Sequence, residues 1–457
     1  MSTRRDFLRA SLGTGTLLLL TACGIGSSTT PTAAPTATAT QPAPAVGARP
    51  TGTPAAHLKG AKLHLLNWSS FIPEEDTWFK QTLVDEWAKP NGVDLTVELV
   101  GGNDVQPKIT AALQAGAGPD LMQQQWTWAH LYADKLLDVS DVAEMAGTAG
   151  GGWYEVSKQN NLVDGRWRAV PWGMTGNAIA YRQHWLKDGA NTDAFPTTWE
   201  DFTTVGGQVK QHTNTFVGQA LGHSFGDPPT FVYPFLWSYG GSETDETGKK
   251  VVINSPETRA ALTSFQAWFR GCSDPQCLSW DDSSNNRAYL ASQIWATNNG
   301  VSIYVAAEKD APDIAGDTQH VLLPKGPRGQ FVLAYPLAFA IPTYVKDPQP
   351  AKELLAYMLD PKTYAGFMKA GKGYTLAPYT KGETSGMWPS PDPKFDPFKE
   401  FGRLSKWYGY PAAPSPAATE AGSKYIVVDM FAKVAQGTSP QEAMQWAEGE
   451  LKQVYHA

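Results

Sequence analysis

Three glutamines run into a tryptophan at Gln123-Gln124-Gln125-Trp126, directly after the apolar segment Leu121-Met122. The same pairing of a ring with a neutral hydrogen-bonding side chain recurs at Asn67-Trp68-Ser69, at Trp172 with Thr175, and at Tyr233 and Trp237 in YPFLWSYGG. It recurs again at Asn298 in the NNG turn and at Tyr335. A flat ring stacks on the apolar C–H face of a polyhydroxylated solute. Amides and hydroxyls pair with the solute's polar rim, where every buried polar group needs a partner. Neutral amides suit hydroxyls better than an anion, which would call for clustered arginine or lysine. These eleven residues (Asn67, Trp68, Ser69, Gln124, Trp126, Trp172, Thr175, Tyr233, Trp237, Asn298 and Tyr335) are the candidate solute contacts. The chain holds 17 Trp, 17 Tyr and 18 Phe, so most rings must be core. Trp78, Trp87, Trp268 and Trp446 fall on helix stripes and read as packing.

Catalytic chemistry finds less support. GHSFG, residues 222–226, fits the Gly-x-Ser-x-Gly nucleophile elbow, which needs a helix starting at the serine. Asp227-Pro228-Pro229 follows instead, and only His320 and His456 lie downstream as bases. A strand-end loop is the simpler role for this segment. A glycoside hydrolase would need two carboxyl groups across one glycosidic bond, about 5–10 Å apart. The adjacent acids Glu74-Glu75 and Asp281-Asp282 read better as a helix first turn and a solvated loop. The eight histidines are scattered without ligand spacing, and there is no Gly-x-x-x-x-Gly-Lys phosphate loop. The expectation is a protein with no catalytic residues, no metal and no cofactor.

Positioning these side chains falls to alternating strands and helices. Lys62–Asn67 is a short apolar strand, and Pro73–Lys89 carries an apolar stripe at helical spacing. VDLTVELV alternates with a period of two, Val105–Ala115 is helical up to Gly116, and PDLM is a third strand. Two successive βαβ units predict a parallel sheet covered by helices. Thr197-Thr198-Trp199-Glu200 reads as a capping box with Thr197 as the cap. Helices also open at Ser255-Pro256-Glu257 and Ser439-Pro440-Gln441-Glu442, and Pro348–Tyr357 is another.

The N-terminus fixes the expected address. MSTRRDFLRA begins with twin arginines, and a short uncharged run ends in Leu20-Thr21-Ala22-Cys23. That run is too short to span a bilayer and reads as an export signal. The Leu-x-Ala-Cys ending resembles the lipobox of bacterial lipoproteins, which implies cleavage before Cys23 and its lipidation. Residues 24–57 are mostly Thr, Ala, Pro, Ser and Gly, with almost no charge and almost no large apolar residue, a composition expected to form a disordered tether. Cys272 and Cys277, six residues apart counted inclusively in GCSDPQCL, could staple a loop as a disulfide or lie buried as free thiols. An oxidising exterior favours the disulfide. A net charge of -7 argues against nucleic acid.

Several segments, in order, resemble the family 1 extracellular solute-binding proteins of ABC importers, the class that includes maltose-binding-type proteins. They are AGAGPDLMQQQWTWAHLYADKLLDVSD, DGRWRAVPWGMTGNAIAYRQHWL with FPTTWEDF, FLWSYGGSETDETGKKVVINSPETRAAL, and NRAYLASQIWATNNG. LPKGPRGQFVLAYPLAFAIPTYVKDPQPAKELLAYML completes the series. The pattern departs where typical members read Gly-Lys-Ala-Ala-Met and this chain has Ala291-Ser292-Gln293-Ile294-Trp295. The resemblance implies an α/β fold of two lobes, the periplasmic-binding-protein-like type II fold. Each lobe is expected to hold a mainly parallel sheet flanked by helices, with hinge crossings between them. Residues 58–173 plus 335–372 would form lobe 1, and 174–334 plus 373–457 lobe 2. PWGMTG would be the first crossing, with Gly173 and Gly176 permitting it and Trp172 offering a stacking face. Tyr335 would stand at the second. The implied protein is an exported, lipid-anchored monomer on the outer face of the cytoplasmic membrane. It would pass a mono- or oligosaccharide to membrane permease subunits served by a separate ATPase. A polyol or glycerol phosphate derivative is the alternative solute, and a glycoside hydrolase the alternative class.

Overall fold

In the computed structural model, which describes residues 56–383 and 391–456, the strand–helix alternation of the sequence resolves into two main sheets, beside a small two-stranded pair of Leu162–Val163 with Arg166–Trp167. The strands are β1 (Lys62–Trp68), β2 (Asp94–Val100), β3 (Leu121–Gln125), β4 (Val170–Thr175), β5 (Ala178–Arg182), β6 (Phe216–Val217), β7 (Ile294–Asn299), β8 (Thr318–Val321) and β9 (Tyr335–Ala340). The first sheet runs β2-β1-β3-β9-β4 and the second β8-β5-β7-β6. In the first, β1 pairs in parallel with β2 and β3, while β9 runs antiparallel to both β3 and β4. The second sheet departs from the expected mainly parallel form. Only β6–β7 is parallel, because β5 leaves the first crossing and pairs antiparallel with β7 and β8. The architecture is the two-lobe α/β fold.

The helices used below are α1 (Gly102–Ala115), α2 (Trp199–Thr213), α3 (Asp227–Tyr239), α4 (Pro256–Cys272), α5 (Pro416–Ser423), α6 (Ile426–Ala435) and α7 (Pro440–Tyr455). The cap of α2 sits one residue later than expected. Thr198 Oγ1 accepts from Asp201 N at 3.1 Å, and Glu200 is free to accept from the Tyr239 hydroxyl. At α7 the capping box forms as expected between Ser439 and Glu442. The Pro73 helix winds through π-type turns at Trp78–Thr82 and Val84–Ala88, yet still buries Trp78, Phe79, Leu83 and Trp87.

The first crossing lies at Gly176-Asn177, between β4 and β5. Its glycines serve proximity rather than a bend, since neither has a positive φ. A Cβ at Gly173 would stand 2.5 Å from Thr375 Cγ2, and one at Gly176 would stand 2.6 Å from the Phe401 ring. The room at Gly173 lets the 374–376 segment lie against β4, where Met174 and Leu376 exchange backbone hydrogen bonds at 3.0 and 2.7 Å.

Trp172, on β4, is fully buried among Trp78, Phe79, Phe339, Tyr364 and Phe367, with ring centroids 4.7–5.9 Å away. The expected stacking face is therefore corrected. In the alternation of β4 this indole points into the layer between sheet and helices, and no edge of it is left for a solute. The expected disulfide is corrected as well, since Cys272 and Cys277 are both free and buried. The Cys272 thiol, at the end of α4, donates to the Thr203 carbonyl of α2 at 3.2 Å, and burial pushes it up to about 12. Cys277 sits in the turn behind Pro275 and receives a bond from Ser273. The signal, Cys23 and the tether up to residue 55 lie outside the described residues, while Ala56 and His57, expected as the end of the tether, already belong to the 3-10 turn Ala56–Leu58.

Candidate functional site

Parallel strands leave loops at their carboxyl ends, and a crevice opens where strand order switches. Here β1 ends in Trp68, β2 leads through Gly101 into α1, and Trp126 follows the end of β3. Facing them from the second sheet is the loop between β6 and α3, which holds GHSFG, and from the C-terminal region Tyr408 and the junction of α5 with α6. Together these elements enclose a cavity of about 360 Å³. Trp126, Trp128, Phe225, Tyr408 and Tyr425 supply its rings. Asn103, Gln106, His223 and Ser423 supply its polar groups. Among the described residues, no lysine, arginine, aspartate or glutamate lines it. The volume falls in the range of small-molecule sites, about 300–1,000 Å³.

Two wall residues hold left-handed backbone, Trp126 at φ 51° and Tyr425 at φ 57°. Such conformations cost roughly 1–3 kcal/mol and persist where the surroundings over-determine them. At Trp126 the indole lies against Tyr408 at 4.7 Å and 29°, and edge-on to Tyr335 at 4.7 Å. At Tyr425 the ring stacks on His223 at 4.6 Å and 10°, while His223 Nε2 lies 2.6 Å from Asp429 Oδ1.

Three of the expected contacts carry buried polar groups without partners, and one of them, Tyr335, packs against the cavity rings Trp126 and Phe225. Gln124 is fully buried, and neither its amide nitrogen nor its oxygen is hydrogen-bonded. The Tyr335 hydroxyl and Asn298 Oδ1 are orphaned in the same way. Leaving one such group unmatched costs about 1–3 kcal/mol. Tyr335 is also edge-on to Trp68 at 5.6 Å, which joins Trp68 to this group.

The other expected contacts are engaged elsewhere. Asn67 accepts from Gln123, which itself accepts from Gln125. Ser69 donates to Asp76 at 2.6 Å, and Thr175 bonds the Tyr374 hydroxyl. Tyr233 donates to Glu243 at 2.7 Å, and Trp237 packs among Tyr233, Phe331 and Tyr410 inside the second lobe. Of the eleven, Trp126 lines the cavity, and Trp68 and Tyr335 pack against its wall rings; Gln124 and Asn298 are buried with orphaned polar atoms but do not line it. His223 and Phe225 come from the loop read as strand-end. Tyr408 and Tyr425 carried no sequence signal, because nothing in WYGYPAAP or GSKYIVV distinguishes a wall from a core.

The carboxyl pairs are structural. Asp282 accepts from Ser224 Oγ at 2.8 Å and from the Gly226 and Asp227 N–H groups at 3.1 and 2.7 Å, capping the start of α3. Asp227 accepts from Asn177 and Asn285, each at 2.7 Å. Burial raises both carboxyls, and the Asp282 charge raises Asp227 further. Ser224 thus donates to a carboxylate, and its neighbour His223 turns to Asp429, so the elbow motif lacks its base. Arg182 binds Asp317 and Arg168 binds the Leu136 carbonyl, both away from the cavity.

A family profile described as bacterial extracellular solute-binding protein matches residues 82–397. A probable ABC transporter-binding protein of Deinococcus radiodurans is 24% identical over 394 residues, covering 81% of this chain and 89% of that one. The GacH receptor of Streptomyces glaucescens, solved unliganded and with acarbose, has a TM-score of 0.72 at 18% identity, covering 87% of this chain and 98% of that one. A solute-binding protein of Agrobacterium radiobacter in complex with ribitol has a TM-score of 0.73 at 20% identity, covering 88% and 100%.

Proposed function

Since this chain belongs to the bacterial extracellular solute-binding proteins, we propose that it captures a small neutral carbohydrate between its lobes. It then delivers that solute, chemically unchanged, to the permease of an ABC importer. One observation carries the solute class: an aromatic-walled cavity with no charged residue among its described lining, backed by Tyr335, whose buried hydroxyl is orphaned. Rings suit the C–H faces of a sugar, and the neutral groups suit its hydroxyls. A phosphate would meet no arginine or lysine there, which argues against the glycerol phosphate alternative. A polyol shares the neutral hydroxyl chemistry, and the ribitol-bound relative keeps that reading open to the same experiment.

Trp126, Trp68, Gln124, Tyr335 and Asn298 are the proposed contacts retained from the sequence, joined by Phe225, Tyr408 and Tyr425. The lobes divide at the crossings near residues 174, 334 and 373. The chain is exported and works as a monomer, tethered through lipidated Cys23 by residues 24–57. Calorimetry of the purified chain against a panel of mono- and oligosaccharides, with ribitol and glycerol 3-phosphate, tests the reading. Binding of a sugar without turnover is the expected result. Steady hydrolysis of a glycoside would overturn it, as would binding confined to the phosphate.

A further inference from the structure

Phe225 is the one cavity ring that the second lobe sends deep into the first. Its centroid lies 5.4 Å from Trp68 and 5.3 Å from Tyr335, and it stacks on Phe71 at 6.5 Å and 12°. All three partners belong to the first sheet or the loop after β1. The ring's edge rests on Gly102, at the first turn of α1. A Cβ added there would fall inside the Phe225 ring, touching three of its atoms at once. Gly101 beside it has no such neighbour, since a Cβ there would meet only its own helix's Asp104, at 3.3 Å.

The loop that delivers Phe225 is held stiffly. Ser224 Oγ and the Gly226 and Asp227 N–H groups all donate to Asp282, so the carboxylate grips the chain on both sides of the phenylalanine. Caged by three rings and anchored by this grip, Phe225 has little freedom to swing away. Two smaller contacts flank the seat across the same divide, Gln106 to Ser423 at 3.1 Å and Thr127 to Thr419 at 2.7 Å.

We propose that Phe225 is the specificity-determining closure residue, with Gly102 as its seat. The bare α-carbon of Gly102 admits the ring and so lets the two lobes close, and the ring's outer face becomes the inner wall of the cavity. Phe225 thereby sets how far a solute reaches toward Trp68 and Tyr335. The seat stands on geometry alone, whereas the depth limit rests on the solute-binding reading above.

The test compares the purified full chain with Gly102→Ala, Gly101→Ala, Phe225→Ala and the Gly102→Ala/Phe225→Ala double variant. Small-angle scattering reads lobe separation, and circular dichroism checks that each variant folds. Gly102→Ala should raise the radius of gyration, Gly101→Ala should leave it unchanged, and the double variant should return it to the wild-type value. Wild-type scattering from Gly102→Ala, or a double variant that stays expanded, would overturn the seat. For depth, calorimetry against glucose, maltose and maltotriose should show Phe225→Ala shifting preference toward the longer sugars by tenfold or more, by analogy with other pocket-filling groups. An unchanged preference among sugars that bind removes the depth limit. If no sugar binds any form while the scattering pattern holds, the solute reading falls and the seat stands.

Discussion

Glu75→Gln should stabilise this protein at alkaline pH and leave it nearly unchanged in mild acid. Glu75 opens the helix after β1 and is buried, accepting from Ser70 Oγ at 2.7 Å and from Thr375 Oγ1 and N at 3.1 and 3.3 Å. Burial outweighs those bonds and pushes its carboxyl from 4.5 up to about 7. A folded-state value above the unfolded one means that the folded chain holds the proton more tightly. The stability so gained is fully present below the unfolded pKa of 4.5 and is lost as pH rises through 7. At about 1.4 kcal/mol per unit, the ionised group costs the folded state about 3 kcal/mol above that window. Glutamine keeps the shape, and the two hydroxyls can rotate to accept from its amide, so the network survives without the charge. Thermal unfolding followed by circular dichroism across about pH 5 to 8 is the assay. The variant should match wild type at the acid end and melt several degrees higher at the alkaline end. Parallel curves for the two proteins, with a constant offset at every pH, would refute the reasoning. Asp227, Asp282 and Glu243 are also raised, and they move both proteins alike.

Two further outcomes follow from placements described above. Trp172→Ala, which empties the centre of a six-ring cluster, should cost about 3–5 kcal/mol of stability in chemical denaturation. Among chains still folded, solute affinity should stay within a few-fold of wild type; loss of affinity at unchanged stability would return the indole to the site. Cys23→Ser should move the protein from the membrane fraction to the medium or periplasm on fractionation, and unchanged retention would remove the lipid anchor.

The fold was legible where periodicity and caps are local. The first βαβ units, the Ser255 and Ser439 caps and the two-lobe class all follow from spacing and motif order. The second sheet was not, because antiparallel pairing of β5 with β7 joins segments more than a hundred residues apart. The site was legible only in part. Strand-end position pointed to Trp126, which lines the cavity, since loops after parallel strands meet in the crevice. It misplaced Trp172 because strand alternation decides which face a side chain takes, and PWGMTG has too little period to declare it. Tyr408 and Tyr425 reach the wall through helix packing alone, and packing of that kind leaves no mark on composition.

The walls of the cavity are far apart in the order of synthesis. Trp126 precedes Tyr408 by 282 residues and Tyr425 by 299. At a ribosomal pace of about 5–20 residues per second, the first lobe's share of the chamber waits roughly 15–60 s for its opposite wall. A chain interrupted between Ala340 and Tyr408 holds every strand of both sheets and only one side of the cavity wall. Competence to hold a solute is therefore among the last properties this protein acquires, and truncation near the C-terminus is the shortest route to a folded but vacant carrier.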